Sequence, residues 1–335
     1  MRPPRNFYVR SFQRGAGMLS RVADNLYWMS RYLERAEHTA RLVDVELQLW
    51  LDQSPEAGAG RWRFLLEALR TPAPAGEVNP DNLVNTLVFS RANHSSIVSC
   101  ISIARENLRH VREQCSSEMW EQLNRLYLEV IDNQPADSWI LKSHSFFRAV
   151  QEGAHLFQGI TDSTMSHGEG WQYIQLGRYV ERTVELSLLI GAHFARLPHA
   201  PDQAVETAEY LEWIGLLKGC GAFESYCKAY TAEIRPVQVA EFLLLDRDFP
   251  HSVRFSVDRM EAALKTIADL TDRHAGMPAR IAGRLCARLS FSDIDEILDA
   301  GAPQFLQSVS RECGQLHAAI HQIYFDYPVE TELAS

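Results

Sequence analysis

One eight-residue pattern occurs twice in this chain, each time inside a stretch of helical periodicity. The first copy reads Trp28-Met29-Ser30-Arg31-Tyr32-Leu33-Glu34-Arg35, the second Gln175-Leu176-Gly177-Arg178-Tyr179-Val180-Glu181-Arg182. They share small-Arg-Tyr-aliphatic-Glu-Arg, and Glu181 follows Glu34 by 147 residues in a chain of 335. Such a repeat constrains architecture before any local assignment, because each copy calls for an equivalent surrounding. Two more anchors follow in the same order. Trp62 with Leu65-Leu66 is matched by Trp213 with Leu216-Leu217 at an offset of 151, and Ser96-Ile97 with Ile101 by Ser252-Val253 with Val257 at an offset of 156. Collinear anchors with slowly growing offsets are what loop insertions between duplicated helices leave behind. The expected organisation is a disordered basic tail over 1–17, a first helical repeat over 18–160 and a second over 161–328, packed together as one assembly.

The local pattern is helical throughout. Leu26, Met29, Leu33, Ala36, Ala40, Val43, Leu47 and Trp50 recur at alternating spacings of three and four, the seam of a bundle helix. A Gly58-Ala59-Gly60 linker precedes a helix holding Trp62, Leu65, Leu66 and Leu69. Further helices are expected over about 82–113, from the Ser116-Ser117-Glu118 cap, and over about 138–160. The second motif helix follows Gly168-Glu169-Gly170. Later ones are expected over about 204–230 and 236–245, from Asp248-Phe249-Pro250, and after Pro278 and Ser292-Asp293-Ile294-Asp295. Period-two alternation and Asn-Gly or Asp-Gly hairpin turns are absent. The expected fold is an all-α multi-helix bundle built from two duplicated halves.

At about 100° per residue, Arg31, Glu34 and Arg35 fall opposite the apolar seam, together with Tyr27 and Trp28. Arg178, Glu181 and Arg182 take the same angles in the second copy, with Glu185 where the first has His38. Aromatic rings beside the arginines suggest that this face is covered as well. Three uses of it stand open. The motif helices can lie side by side, so that Glu34 pairs with Arg182 or Arg178 and Glu181 with Arg35 or Arg31, fixing register. The four arginines can converge on a carboxylate, a phosphate or an acidic peptide. Or the face can receive a partner protein.

Other chemistry is thinly represented. His317 and His321 share a helix face at a spacing that suits a metal, but no third ligand is evident and Gln315 and Gln322 mark an ordinary polar face. Gly215, Gly219 and Gly221 lack the strand–loop–helix context of a phosphate loop, and there is no Gly-x-Ser-x-Gly elbow. No base, nucleophile and orienting group can be assigned together, so no catalytic residue, metal or cofactor is expected. A net charge of −10 argues against general nucleic-acid binding. The six cysteines form no CxxC pair and read as reduced, mostly buried thiols of a cytoplasmic protein. No apolar run is long enough for a membrane span. Arg2, Arg5, Arg10 and Arg14 make the first seventeen residues basic, with no apolar signal core behind them.

The chain resembles the bacterial alpha-E family of helical proteins. The resemblance rests on Met18-Leu19-Ser20-Arg21-Val22-Ala23-Asp24-Asn25-Leu26-Tyr27-Trp28, Arg31-Tyr32-Leu33-Glu34-Arg35-Ala36-Glu37, Ala104-Arg105-Glu106-Asn107, Ser117-Glu118-Met119-Trp120-Glu121 and Gly177-Arg178-Tyr179-Val180-Glu181-Arg182. It implies an all-α protein encoded near, or fused to, a circularly permuted ATP-grasp protein. Transglutaminase-like proteins, and sometimes a proteasome-like peptidase, accompany it. By that resemblance the chain is a non-catalytic partner of an ATP-grasp amide or peptide ligase, shaping its acceptor site or binding its anionic or peptide substrate. The alternatives are a stand-alone enzyme acting on a small anionic substrate, and a structural homodimer built on the aromatic face. One departure is local: His94, in Ser90-Arg91-Ala92-Asn93-His94-Ser95-Ser96-Ile97, stands where the family pattern has proline, whereas the second half keeps Pro250.

Overall fold

The computed structural model describes residues 18–51, 55–73, 79–133, 139–197, 207–231, 233–271 and 276–325; the basic tail lies outside them. The two motif helices, α1 (Ser20–Leu51) and α7 (Glu169–Arg196), lie side by side at the centre and make the most extensive helix–helix contact in the molecule. Each is the inner wall of a four-helix bundle. Around α1 the ring is closed by α4 (Ile97–His110), α5 (Ser117–Asp132) and α6 (Trp139–Thr164); α4 and α6 flank α1 and α5 bridges them. Around α7 the same places are taken by α11 (Val253–Thr271), α12 (Gly276–Phe291) and α14 (Ala302–Ile320). Two helices cross between the bundles: α2 (Pro55–Ala68) packs on α1 and α7, and so does α8 (Thr207–Gly219). Short helices α3 (Pro80–Val84), α9 (Phe223–Tyr230), α10 (Pro236–Leu245) and α13 (Ile294–Ala300) fill the ends. No strand occurs among the described residues, so the fold is the expected all-α bundle.

Local chemistry sets the helix boundaries. Ser96 Oγ accepts from Ser99 N and Ser116 Oγ from Met119 N, capping α4 and α5, and Ser252 Oγ accepts from Phe255 N at the start of α11. Pro55 opens α2 at the first helical position, where a missing N–H costs nothing, so Gly58-Ala59-Gly60 lies inside that helix instead of forming a linker. The single helix expected over about 82–113 is broken at Ser90–Ser96. Asn93 holds that turn without a proline at His94: its Oδ1 accepts from Ser95 N and its Nδ2 donates to Thr86 O. The helix expected over about 204–230 is likewise two, parted at Gly221, whose φ of 61° an L side chain rarely adopts. Helix α12 starts before Pro278, and α6 runs on to Thr164, so the connection between the bundles falls a few residues beyond 160.

The ends of α2 and α8 are built alike. Thr71 N donates to Leu66 O and Arg70 N to Glu67 O; Ala222 N donates to Leu217 O and Gly221 N to Lys218 O. Both helices thus stop in a left-handed residue, Arg70 (φ 50°) in one and Gly221 in the other. Just inside those ends, Trp62 and Trp213 are both buried.

The motif helices approach most closely at its small residue. A methyl group on Gly177 would overlap the backbone carbonyl of Tyr27, and Ser30, at the same place in the first copy, is buried. Gly177→Ala should therefore lower the unfolding free energy by about 1–3 kcal/mol, as overpacking does. Gly283→Ala, on α12 with nothing within 4 Å of the new methyl, should leave stability unchanged or raise it by up to about 1 kcal/mol. Urea unfolding of the two variants checks the contrast.

Candidate functional site

Residues three and four apart on a helix share a face, so each motif presents its glutamate and two arginines together to the opposite helix. They meet reciprocally. Arg31 Nε lies 2.6 Å from Glu181 Oε2 and Arg35 Nη2 lies 2.6 Å from Glu181 Oε1. In the other direction Arg182 Nε lies 2.5 Å from Glu34 Oε1 and Arg178 Nε 3.7 Å from Glu34 Oε2. Both carboxylates are only 2% exposed, a depth at which an unpaired charge would be very costly. Burial alone pushes the Glu181 carboxyl up, but Arg31 and Arg35 outweigh it and hold the group at about 2. The structure thus realises the cross-paired arrangement among the three left open by the sequence.

The aromatic residues close the network from outside. Tyr27 is fully buried; its hydroxyl lies 3.0 Å from His317 Nδ1, and Arg31 Nη1 lies 3.1 Å from the same nitrogen. The Arg31 guanidinium stands over the Trp28 ring at 4.8 Å, and those of Arg178 and Arg182 stand over Tyr179 at 5.4 and 5.5 Å. His317 is thereby committed to the arginine. Burial and Arg31 lower its pKa to about 4. With His321 it belongs to no group of three or more potential metal ligands among the described residues.

The two halves differ in what they leave unsatisfied. Arg182 spends a second donor on Pro250 O at 3.0 Å, and Gln158 Nε2 donates to Glu34 Oε2 at 3.4 Å. Among the described residues Arg178 makes no hydrogen bond, and its buried Nε has only the 3.7 Å ion pair to Glu34. It opens on a cleft of about 610 Å³ between α6, α7 and α11, shared with Trp171, Gln175 and the exposed Arg259. On the other side, Arg35 and Glu181 border a cavity of about 250 Å³ that also holds Glu185. Glu185 is 7% exposed, and its Oε2 has no partner. Burial and the neighbouring Glu181 push its carboxyl well above the usual range.

Two ion networks were not anticipated. Glu37 pairs with Arg41 and lies 3.5 Å from His155. Arg61, 2% exposed, bridges Glu46 of α1, at 2.8 Å, to Glu212 of α8, which also binds Arg196. A signal for the second was present: Arg61 and Glu212 immediately precede the repeated Trp62 and Trp213 at the same offset of 151, so a two-fold arrangement places them face to face.

Residues 18–325 match a family described as a predicted alpha-helical domain with a conserved ER motif, Alpha-E. The chain belongs to the Alpha-E family. In this chain both Glu-Arg dipeptides, Glu34-Arg35 and Glu181-Arg182, belong to the network that cross-links α1 and α7. Uncharacterised proteins of Mycobacterium bovis and of Mycobacterium tuberculosis strain CDC 1551 are each 24% identical to the chain over 337 residues, covering 94% of it and 37% of their own length. One of M. tuberculosis strain H37Rv is 23% identical with the same coverage. The chain therefore spans little more than a third of the relatives it matches. No solved structure matches it.

Removing Arg182 should strand Glu34 with only the distant Arg178. Arg182→Ala is expected to cost about 3–5 kcal/mol in urea unfolding, the loss typical of breaking a buried pair, and Arg178→Ala much less. The acids should also give opposite pH dependences. Glu181 sits at about 2 folded against an ordinary 4.5, so its stabilisation is complete above about pH 4.5 and is lost as pH falls towards 2. Glu185 is raised on folding, so its contribution is complete below about pH 4.5 and is lost as pH rises through its folded value. Glu185→Gln should accordingly raise the melting temperature at pH 8 and leave it unchanged at pH 4.

Proposed function

We propose that this chain is a non-catalytic helical module working beside an ATP-grasp amide or peptide ligase, where it shapes the acceptor site or holds an anionic or peptide substrate. The observation that carries this reading is the self-neutralisation of the motif. Five of its six charged residues satisfy one another inside the α1–α7 interface, leaving no acid, base or nucleophile of the motif to perform a reaction. The sixth, Arg178, is held only by a 3.7 Å ion pair to Glu34 and has no hydrogen bond at Nε beside a cleft lined by the amide side chains of Gln158, Gln172 and Gln175, which suits a carboxylate-bearing peptide. The relatives, in which the same domain fills 37% of a longer chain, support a module that acts beside other domains. The alpha-E resemblance supports the ATP-grasp protein as that neighbour, a transglutaminase-like protein as an occasional third component and a cytoplasmic setting.

We infer also that the two bundles arose by internal duplication. The equivalent packing of α1, α4, α5 and α6 with α7, α11, α12 and α14 supports this, as do the matching ends of α2 and α8. Burial of Tyr27 within the chain counts against a homodimer built on the aromatic face, of which Trp28 keeps part of its surface. A stand-alone enzyme keeps one supporting observation: Glu181 and Glu185, one turn apart, have carboxyls displaced in opposite directions, as separate acid and base roles require.

The deciding experiment expresses the chain with and without a circularly permuted ATP-grasp protein and follows phosphate release with peptide acceptors. Co-elution is expected, with an interface above roughly 1,000 Å², and acceptor-dependent turnover should need both proteins. Arg178→Ala should raise the acceptor concentration needed for half-maximal turnover. Full turnover by the ATP-grasp protein alone, without co-elution, overturns the proposal.

A further inference from the structure

The 250 Å³ cavity beside the Glu-Arg network is lined by Arg35, Thr39, Arg70, Thr71, Ser95 and Glu185, among others. Its charges are unevenly committed. Arg35 gives Nε and Nη2 to Glu181, and Arg70 gives Nη2 to Ser310 Oγ. Glu181 is held by two arginines. Among the described residues Glu185 makes no ion pair, and its Oε2 has no hydrogen-bond partner, although only 7% of it is exposed. A buried carboxyl without a partner is costly to keep, and here it borders a space that a small ligand can enter past the exposed Arg70 and the half-exposed Ser95 and Leu188.

The other bundle shows what such a space accepts. By the motif offset of 147 residues, Leu188 of α7 stands where Arg41 stands on α1. Arg41 runs to the end of α8, so close to Gly221 that a methyl there would overlap its Nη1. A guanidinium thus fills the room beside the left-handed residue of α8. At the matching end of α2, beside Arg70, Leu188 is too short to do so and the room stays open.

We propose that the cavity beside Glu185 binds a small organic cation, a primary ammonium or guanidinium group, with the Glu185 carboxylate as its counter-charge. Thr39, Thr71 and Ser95 supply hydroxyl oxygens to accept the remaining N–H donors. Burial and Glu181 push the Glu185 carboxyl well above the usual range in the empty cavity. Arg35 favours its ionised form, while Glu34 and Glu37 oppose it more distantly. At pH values where the empty cavity holds the carboxyl protonated, binding a cation expels that proton, so affinity rises with pH until the carboxyl is ionised without the ligand. The proposal is independent of the ligase reading and needs no second protein.

The test is calorimetric titration of the full chain with n-butylammonium chloride, with sodium butyrate and n-butanol as anionic and neutral probes of the same length. Saturable binding of butylammonium alone is expected, with release of a proton detected by repeating the titration in buffers of different ionisation heat. Glu185→Gln should weaken binding at least roughly thirtyfold, the lower end for truncating one partner of a buried charge pair. Leu188→Arg should block it by placing a guanidinium where Arg41 lies in the other bundle. Unchanged circular dichroism and a cooperative melt establish that both variants are folded; Arg178→Ala, at the other cleft, should bind as the parent does. Preferential binding of butyrate overturns the proposal in favour of an anion site at Arg35 and Arg70. Unchanged binding by Glu185→Gln overturns it, as does the absence of saturable binding by any probe.

Discussion

Two carboxylates lie almost wholly out of water between α1 and α7, and each is met there by arginines from the opposite helix. Much of the surrounding structure serves that contact. The helices must come close enough for short ion pairs, so the crossing carries Gly177 against the Tyr27 backbone. Water must be kept from the pairs, so Tyr27, Trp28 and Tyr179 cover the guanidinium groups and α14 supplies His317. Buried pairs of this kind add little net stability relative to an apolar core. They do penalise a shift of α1 along α7, since every slipped register strands a charge. In a chain whose two central helices carry the same pattern, register is what the apolar seam alone specifies least well.

The near-symmetry makes the departures from it informative. Four arginines serve two glutamates, and in one half the service is lopsided: Arg182 is fully bonded while Arg178 stands beside a cleft. In the other half both arginines are engaged, and an acid, Glu185, has an unpartnered Oε2, while His38 at the matching place in the first copy has an unpartnered Nε2. A third departure, Arg41 against Leu188, fills one cavity and empties its counterpart. Packing can tolerate each of these, but none of them improves it. The scaffold lies in what the halves share, and the candidate binding chemistry lies in what they do not.

The chain belongs to the Alpha-E family, and in the mycobacterial relatives it matches the aligned region fills 37% of a longer protein. Among the described residues no helix is long and apolar enough to cross a membrane. All six cysteines are free thiols, with Cys100, Cys220 and Cys313 buried, and burial raises the pKa of each of those three to about 12. Thiolate chemistry at those positions is therefore disfavoured, and attention returns to the arginine cleft and the Glu185 cavity on either side of the network.

The all-α fold was legible in the sequence, and cross-pairing of the two motif helices was one of three uses of their charged face that the sequence left open. Helical periodicity and side-chain sharing at three and four residues are local properties, and the repeat supplied the one long-range constraint needed to pair them. Helix ends were less legible. Gly58-Ala59-Gly60 reads as a linker until Pro55 starts a helix through it, and the break at Ser90–Ser96 rests on Asn93 reaching back to Thr86. What only the tertiary structure decided is which charged groups lack partners. Arg178 and Arg182 share one face of a helical wheel and are told apart by Pro250 O, which Arg182 reaches, and the space beside Glu185 is set by Leu188 and the end of α2. Whether a charge is satisfied depends on groups distant in the chain that converge on it, and no periodicity along one helix records them.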